Sequence, residues 1–288
     1  MKLICPTAFK GTFSPLEAAQ RLGSPGDRLL PLSDGGDGFL ECLQHGLGGH
    51  LVWRDATDPS GRNRPVPVLH LPDGTLAIES ARVIGLASLA ERDPVAASSR
   101  GLGELIQQLA DAPRLWVGLG GSATVDGGRD WPRFELPPTL VFCDVRTDLE
   151  AAAETFGPQK GAQPADIPIL KERLLSLELP RGPHTGAAGG LGAKLLSLGA
   201  ELVNGAEKIL EVLGFEDACQ GCDAVLTGEG RLDATTLEGK LPLVVANRAR
   251  ALGLYTIGHF GSHGLGWEIA AANFDEVRFG LSQVVATK

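Results

Sequence analysis

The sequence predicts an α/β protein built on parallel sheets, and three observations lead to this fold class. Short apolar runs have the length and composition of buried strands, at 2–5, 28–32, 115–119, 139–145, 223–226 and 254–260. Several of these runs lead directly into glycine-rich loops, and patterns typical of helices with one apolar face follow. Between them, residues 50–81 instead show short strands separated by turn sequences such as Asp58-Pro59-Ser60-Gly61, which indicate an antiparallel meander.

The order of these elements predicts two domains. Both ends of the chain have a β-α-β pattern, whereas the meander interrupts it. We therefore expect a discontinuous parallel-sheet domain from residues 1–80 plus 222–288 and a second α/β domain from residues 81–221. We expect the active site in the cleft between them.

Composition excludes several classes of partner. The 288 residues carry a formal net charge of −9, and no cluster of lysine or arginine stands out, which disfavours nucleic acid and anionic membranes as partners. No apolar run approaches the roughly 20 residues of a membrane span, and residues 1–6 resemble a strand rather than a signal peptide, so we expect a cytoplasmic protein. The five cysteines are odd in number and scattered, which argues against a disulfide framework. Cys219 and Cys222 have redox or zinc spacing, but no second pair completes a site, and buried thiols are the better interpretation.

The stretch Leu115–Gly128 is the strongest candidate for ligand binding. A buried strand runs into Gly120-Gly121-Ser122-Ala123-Thr124, whose glycine backbone and short hydroxyls suit an anion. Asp126 follows and could hold a cation or a hydroxyl. A tight surface turn is the alternative interpretation of the same residues.

Further carboxylates and cations follow other predicted strands. Asp34 and Asp37 flank paired glycines before a helix, where they suit Mg²⁺ or hydroxyl binding, or alternatively helix capping and compensation of the helix dipole. Asp144 ends a buried strand, where a carboxylate is costly unless it has a partner or a function. Lys10 and Lys160 lie in loops, and each could instead be a solvated surface lysine.

Two more glycine loops, 185–193 and 227–233, repeat this arrangement, although close helix packing could explain the glycines of 185–193 alone. In an open α/β sheet the carboxyl ends of the strands line one crevice, so these groups together indicate phosphoryl transfer. No GxxxxGK[ST] motif is present, which excludes a P-loop enzyme, and no GxGxxG fingerprint supports dinucleotide binding.

Eight blocks, in order and across nearly the whole chain, resemble the bacterial type-2 glycerate kinases. They are Phe9-Lys10 with Ser14, Ser33-Asp34-Gly35-Gly36-Asp37-Gly38, Ser99-Arg100-Gly101-Leu102-Gly103-Glu104, residues 120–128, Cys143-Asp144-Val145, residues 156–162, residues 186–193 and residues 227–233. The resemblance implies ATP- and Mg²⁺-dependent phosphorylation of D-glycerate, with 2-phosphoglycerate the favoured product. It also implies a two-domain α/β enzyme with a Rossmann-like (flavodoxin-like) domain and a second mixed α/β domain.

The resemblance and the strand pattern together assign roles to residues of this chain. Asp144 is expected as the general base, Lys10 as the cation that faces the phosphate, and Asp34 as a third catalytic residue. Nucleotide contacts are expected from Gly120, Gly121, Ser122, Ala123, Thr124, Gly189, Gly190 and Glu229. Asp34 and Asp126 are expected to bind the metal, and Lys160, Arg100, Arg231 and Asp233 the substrate. The expected partners are glycerate and ATP, with no nucleic acid and no membrane, in a monomer or homodimer.

This chain resembles a shortened member of the family and departs from its usual pattern. The family has an aspartate at the position of Thr7 and asparagines at those of Val125 and Thr147, and the stretch between Gly128 and Thr139 is shorter than usual. The chain also ends early after Gly261 relative to the family. Two alternatives therefore stay open: a kinase for another small hydroxy acid, and a non-catalytic sensor of a sugar acid or a nucleotide.

Overall fold

A computed structural model describes residues 1–86, 89, 91–233, 236 and 239–280. The mixed α/β class is confirmed, with two sheets that contain parallel strands and helices between them. The strands are β1 Lys2–Pro6, β2 Arg28–Leu29, β3 His50–Thr57, β4 Asn63–His70, β5 Leu76–Glu79, β6 Leu115–Leu119, β7 Thr139–Cys143, β8 Glu201–Asn204, β9 Ala224–Gly228, β10 Arg231–Leu232, β11 Tyr255–Phe260, β12 Ser262–His263 and β13 Glu276–Phe279. The helices are α1 Pro15–Leu22, α2 Phe39–Leu47, α3 Ser80–Ile84, α4 Arg100–Gln108, α5 Ala152–Phe156, α6 Asp166–Leu175, α7 Ala187–Ser197, α8 Gly205–Val212, α9 Phe215–Cys219, α10 Leu241–Ala251 and α11 Trp267–Ala271.

The chain divides into two compact units. Unit 1 contains the described residues within Met1–Ser33, Glu41–Gly46 and Ala206–Lys288, and unit 2 contains those within Asp34–Leu40 and Leu47–Gly205.

Unit 1 is organised by a five-stranded, all-parallel sheet with the order β13-β11-β9-β1-β2. Strand β1 lies inside the sheet between β9 and β2 and is apolar because it is covered on both faces; Leu3 and Ile4 are fully buried. Helix α1 begins where the sequence predicts, since the Ser14 hydroxyl accepts from the Glu17 N–H and the Glu17 carboxylate accepts from the Ser14 N–H. The carboxyl ends of β1, β9 and β11 therefore lie along one edge of this sheet.

Unit 2 is organised by a six-stranded mixed sheet with the order β3-β4-β5-β6-β7-β8. The meander β3-β4-β5 is antiparallel, as its turns predict, and β5 then pairs in parallel with β6. This pairing is why residues 47–80 pack in unit 2, whereas the sequence pattern predicts one discontinuous domain from residues 1–80 plus 222–288. The position of the active site relative to the two predicted domains stays a prediction.

The core of unit 2 lies on its parallel strands and is closed by α4 and α7. Leu102, Leu105 and Ile106 of α4 are fully buried and form one cluster with Val117 and Val141 of β6 and β7. Complete burial of such a side chain stabilises the fold by about 1.5–3 kcal/mol. Strands β6 and β7 are therefore held firmly, and the loops at their carboxyl ends start from a rigid base.

All five cysteines are free and buried, namely Cys5, Cys42, Cys143, Cys219 and Cys222. Within the described residues, no helix combines the length and apolar character that crossing a membrane requires.

Candidate active site

Two loops of unit 2 meet at the carboxyl ends of β6 and β7. The first, Gly120–Thr124, follows β6 and is here called the glycine loop; the second, Asp34–Gly38, precedes α2 and is called the acidic loop. A Cβ placed on Gly120 would lie 2.9 Å from the Cα of Gly36, so the two backbones touch at this point. Only a residue without a side chain fits there.

The acidic loop runs across the strand ends at equally close range. Gly35 has a φ of +107°, and a Cβ there would lie 2.1 Å from the carbonyl oxygen of Phe142 in β7. Glycine is required at this position both for the positive φ and for the close approach. The loop thereby brings Asp34 and Asp37 to the edge of the sheet where β6 and β7 end.

Carboxylates border the contact between the loops. A Cβ on Gly120 would lie 2.7 Å from Oδ2 of Asp144, and one on Gly121 would lie 3.2 Å from Oδ1 of Asp37. A Cβ on Gly36 would lie 3.5 Å from Oδ1 of Asp34. The structure thus brings Asp34, Asp37 and Asp144 to the glycines of the two loops.

Lys160 is buried under the glycine loop rather than solvated. Its side chain is 4% exposed, and its Nζ donates to Oγ of Ser122 at 2.9 Å and to the carbonyl oxygen of Thr124 at 2.7 Å. Burial lowers the pKa of this ammonium to about 8, and the negative charges of Asp144 and Asp126 act in the opposite direction. Lys160 therefore supplies positive charge to the glycine loop from within the protein.

Thr124 adds a second polar feature to the loop. Its Oγ1 is buried and has no hydrogen-bond partner within the described part of the chain. A buried hydroxyl without a partner is uncommon because it costs free energy.

Asp126 has a structural role, because it anchors the residue that precedes α4. Its Oδ2 accepts from the backbone N–H of Ser99 at 2.7 Å and from the Ser99 hydroxyl at 3.0 Å. Ser99 precedes α4, and its hydroxyl also accepts from Nε1 of Trp131 at 2.9 Å. Burial raises the pKa of Asp126, while the hydrogen bonds from Ser99 lower it. One oxygen of the predicted metal ligand is therefore already used to anchor α4.

Gly189 and Gly190 pack closely against the backbone of residues 124–127. Ala188, Gly189 and Gly190 have φ values of 51°, 72° and 93°, so the chain turns left-handed here. A Cβ on Gly189 would lie 2.1 Å from the carbonyl oxygen of Thr124, and the Gly189 oxygen accepts from the Gly127 N–H at 3.1 Å. These glycines support the backbone of residues 124–127, as the packing alternative predicts, and their role in nucleotide binding stays a prediction.

Four predicted site residues lie in unit 1. Lys10 is exposed and lines a cavity of about 550 Å³ together with Phe9, Thr12, Gly230, Gly261, Ser262 and Gly280. Glu229 accepts from the Thr236 hydroxyl at 3.1 Å and pairs with Lys240 at 3.7 Å. Arg231 is exposed and pairs with Asp233 at 3.4 Å.

Arg100 lies in unit 2, exposed at the start of α4, where its Nε pairs with Glu104 at 2.7 Å. The structure therefore brings Asp34, Asp144, Lys160 and the glycine loop together, and it shows Arg100 in an ion pair on the surface.

Two residues that touch these loops are absent from the sequence predictions. Glu79 and Ser80, at the end of β5, form hydrogen bonds with the acidic loop and with the glycine loop respectively. The available signal was a glutamate directly after the apolar run Leu76–Ile78, a position where burial of a carboxylate requires partners.

The geometry suits the binding of an anion beside carboxylates that bind cations or accept protons. Among the described residues, no group of three or more His, Cys, Asp or Glu side chains forms a ready metal cage. Protein-bound Mg²⁺ in phosphoryl-transfer sites is usually held by one or two carboxylates together with substrate phosphates and water. The carboxylates of Asp34 and Asp144 are compatible with that kind of site.

Comparisons with known proteins identify the family of this chain. The family model described as the glycerate kinase family matches residues 2–130 and 132–286. A glycerate kinase of Bacillus subtilis (strain 168) is 34% identical over 90% of this chain and 84% of its own length. A glycerate 2-kinase of Escherichia coli (strain K12) is 32% identical over 90% of this chain and 84% of its own length.

The solved structures include a similar protein. The crystal structure of a Salmonella typhimurium LT2 protein assigned as glycerate kinase 2 has a TM-score of 0.76 and 31% sequence identity, and the match covers 96% of this chain and 89% of that one. The resemblance inferred from the eight sequence blocks is thus confirmed over nearly the whole chain. The chain belongs to the glycerate kinase family, and so to a family of enzymes that use ATP.

Proposed function

We propose that this protein transfers the γ-phosphoryl group of ATP to a hydroxyl of D-glycerate, with 2-phosphoglycerate as the product. Family membership supports the reaction class. The similarity to a protein named glycerate 2-kinase supports the 2-hydroxyl as the acceptor.

The observation that carries the proposal is the proximity of a carboxylate, a buried ammonium and the glycine loop. The carboxylate of Asp144 borders Gly120, the first residue of the glycine loop. The buried ammonium of Lys160 donates hydrogen bonds to Ser122 and Thr124 of the same loop. Phosphoryl transfer needs an anion cradle, positive charge close to it, and a group that orients the attacking hydroxyl. The proximity of Asp144, Lys160 and the glycine loop in unit 2 supports the proposal.

We assign the roles as follows. The glycine loop binds phosphate oxygens through its backbone and through Ser122 and Thr124, and the buried Oγ1 of Thr124 has no hydrogen-bond partner among the described residues. Asp144 orients the glycerate hydroxyl and accepts its proton. In unit 1, Lys10 is the phosphate-facing cation. Glu229 contributes to nucleotide binding there, and Arg231 and Asp233 contribute to substrate binding, as Arg100 does in unit 2.

The acidic loop offers the kind of ligand that Mg²⁺ prefers. Mg²⁺ is bound by oxygen ligands in proteins. Asp34 provides a carboxylate beside Gly36, at the contact between the two loops. When bound, the ion neutralises charge on the phosphate oxygens. We propose Asp34 as the principal protein ligand, because an oxygen of Asp126 is already bonded to Ser99.

We extend the proposal to location and assembly. The five free, buried thiols are compatible with a reducing compartment, which supports a cytoplasmic enzyme. Whether that enzyme is a monomer or a homodimer stays a prediction.

A coupled assay of ADP release tests the function. D-glycerate with Mg²⁺ and ATP should give turnover, and a panel of L-glycerate, lactate, tartronate and glycolate should give less. Two-dimensional ¹H–³¹P NMR of the product should correlate phosphorus with the proton on C2. Turnover on another acid alone would favour the alternative kinase, and tight binding of glycerate or ATP with no turnover on any acid would favour the sensor.

A further inference from the structure

The end of β5 joins the two loops of the candidate site through adjacent residues. Glu79 is 2% exposed and Ser80 is fully buried. Glu79 is the last residue of β5 and pairs with Gly118 of β6, and Ser80 begins α3. Glu79 therefore projects from backbone that is fixed within the sheet of unit 2, and Ser80 follows it directly in the chain.

Glu79 binds the acidic loop at its junction with α2. One carboxylate oxygen accepts from the N–H of Gly38 at 3.3 Å, and the other accepts from the N–H of Leu40 at 3.2 Å. Arg82 lies 3.5 Å from the first of these oxygens. Burial raises the pKa of Glu79, whereas Arg82 and the two amides lower it. A buried carboxylate is costly to desolvate, so an uncharged residue would suffice if space-filling were its only task.

Ser80 binds the glycine loop at its first residue. Its hydroxyl donates to the carbonyl oxygen of Gly120 at 2.8 Å and accepts from the N–H of the same residue at 3.1 Å. Both polar groups of Gly120 are thereby fixed by one side chain. Gly120 is also the residue against which Gly36 and the carboxylate of Asp144 lie.

We propose that Glu79 and Ser80 are positioning residues that set the acidic loop and the glycine loop at a fixed distance from each other. The inference rests on the proposed function, since the two loops carry Asp34 and the phosphate cradle. Two adjacent residues on one rigid strand end hold one loop each, so a shift of either loop must break a hydrogen bond to the same dipeptide. A displacement of about 1 Å in such a site costs about a hundredfold in rate.

Kinetics of Glu79→Gln, Ser80→Ala and the double variant test the inference. In Glu79→Gln, the side-chain amide can accept from one N–H but opposes the other with its own NH₂ group, and alanine in Ser80→Ala removes both bonds to Gly120. We expect each single variant to lose about tenfold to a hundredfold in kcat, with smaller changes in the KM for ATP. The double variant should lose little beyond the worse single variant, because either change already releases the loops from each other. Independent, multiplying losses would overturn the inference.

A matched control separates positioning from stability. Asp73 precedes the opposite end of β5 and accepts from the N–H and the hydroxyl of Thr75, at 2.9 Å and 3.0 Å. Asp73→Asn should lower the melting temperature without a comparable loss of kcat. A purely structural role for Glu79 predicts the same behaviour for Glu79→Gln, and that result would contradict the inference. Ser80→Thr, which keeps the hydroxyl, should restore part of the activity lost in Ser80→Ala.

Amide hydrogen exchange gives a measurement that does not depend on turnover. Glu79→Gln should speed exchange in residues 34–40 and also in residues 119–124, and Ser80→Ala should affect the same two segments. Unchanged exchange in both segments would overturn the inference even in an active enzyme. Absence of glycerate turnover in the wild type would instead contradict the proposed function, and the exchange data would still decide whether this dipeptide holds the loops.

Discussion

Asp144 follows β7, and its carboxylate borders the glycine loop at Gly120. Asp144→Asn keeps the shape of the side chain and removes its basicity. Loss of a general base typically lowers the rate by about 10²–10⁴-fold, so we expect kcat to fall by that order while the affinity for ATP changes little. Steady-state kinetics and nucleotide titration check both parts. A variant with near-normal kcat would show that the assignment is wrong, and Asp34 would become the next candidate.

Lys160 makes stability depend on pH in a defined window. Burial lowers its pKa from 10.5 to about 8, so between these values the unfolded chain binds more protons at this residue than the folded chain does. The contribution of Lys160 to the free energy of unfolding therefore rises as pH increases from about 8 to about 10.5. Below about pH 8 the buried ammonium opposes folding to its full extent.

Urea unfolding at pH 7.5 and at pH 10 measures this effect. Lys160→Met removes the titrating group at similar volume, so the change in unfolding free energy between the two pH values should be more favourable for the wild type than for the variant. Other titrating groups cancel in this double difference. Equal changes in the two proteins would contradict the lowered pKa.

The backbones of the glycine loop and the acidic loop are in contact at Gly120 and Gly36. A single methyl group placed at that contact should therefore push the two loops apart. Gly120→Ala puts a Cβ within 2.9 Å of the Gly36 Cα and 2.7 Å of the Asp144 carboxylate, so one loop or the carboxylate must move. We expect kcat/KM to fall by about a hundredfold or more.

Gly36→Ala is the matched variant on the facing loop. Among the described residues, its Cβ would meet Oδ1 of Asp34 alone, at 3.5 Å, which is an ordinary contact. Gly36→Ala should lose far less activity than Gly120→Ala in the same assay. Similar losses in the two variants would show that the close approach at Gly120 is not required for activity.

Ligand binding should stabilise the whole molecule in a way that depends on Mg²⁺. A ligand at 100 times its Kd adds about 2.7 kcal/mol to the stability of the folded state. ATP should therefore raise the melting temperature of the protein more with Mg²⁺ than with EDTA, and Asp34→Asn should reduce that difference. A shift by ATP that is the same with and without the ion would contradict a role for Asp34 in binding it.

Local features of the fold could be predicted because their causes lie within a few residues in sequence. The capping box at Ser14 and Glu17, the buried run that becomes β6, and the position of Asp144 at a strand end are of this kind. Features that depend on distant segments could not be predicted. The pairing of β5 with β6, which places the meander in unit 2, joins segments separated by nearly forty residues of sequence.

The candidate site shows the same division. The glycine loop and Lys160 were recognisable as polar loop residues, but the burial of Lys160 beneath Ser122 and Thr124 is a tertiary contact that no spacing reveals. The use of Asp126 by Ser99 and the approach of Gly189 to Thr124 likewise depend on how α4 and α7 pack. These contacts decide which polar groups are committed to the scaffold and which remain for a ligand.

The buried thiols also give each unit its own chemical reporter of opening. Cys143 belongs to unit 2, whereas Cys5, Cys42, Cys219 and Cys222 belong to unit 1. Burial raises the pKa of Cys219 to about 11 and keeps its reactive thiolate scarce in the native state. A thiol reagent should therefore modify each cysteine only when its surroundings open. Mass spectrometry of peptides labelled in low urea should then give a separate labelling rate, and so a separate opening rate, for each unit of the unmutated protein.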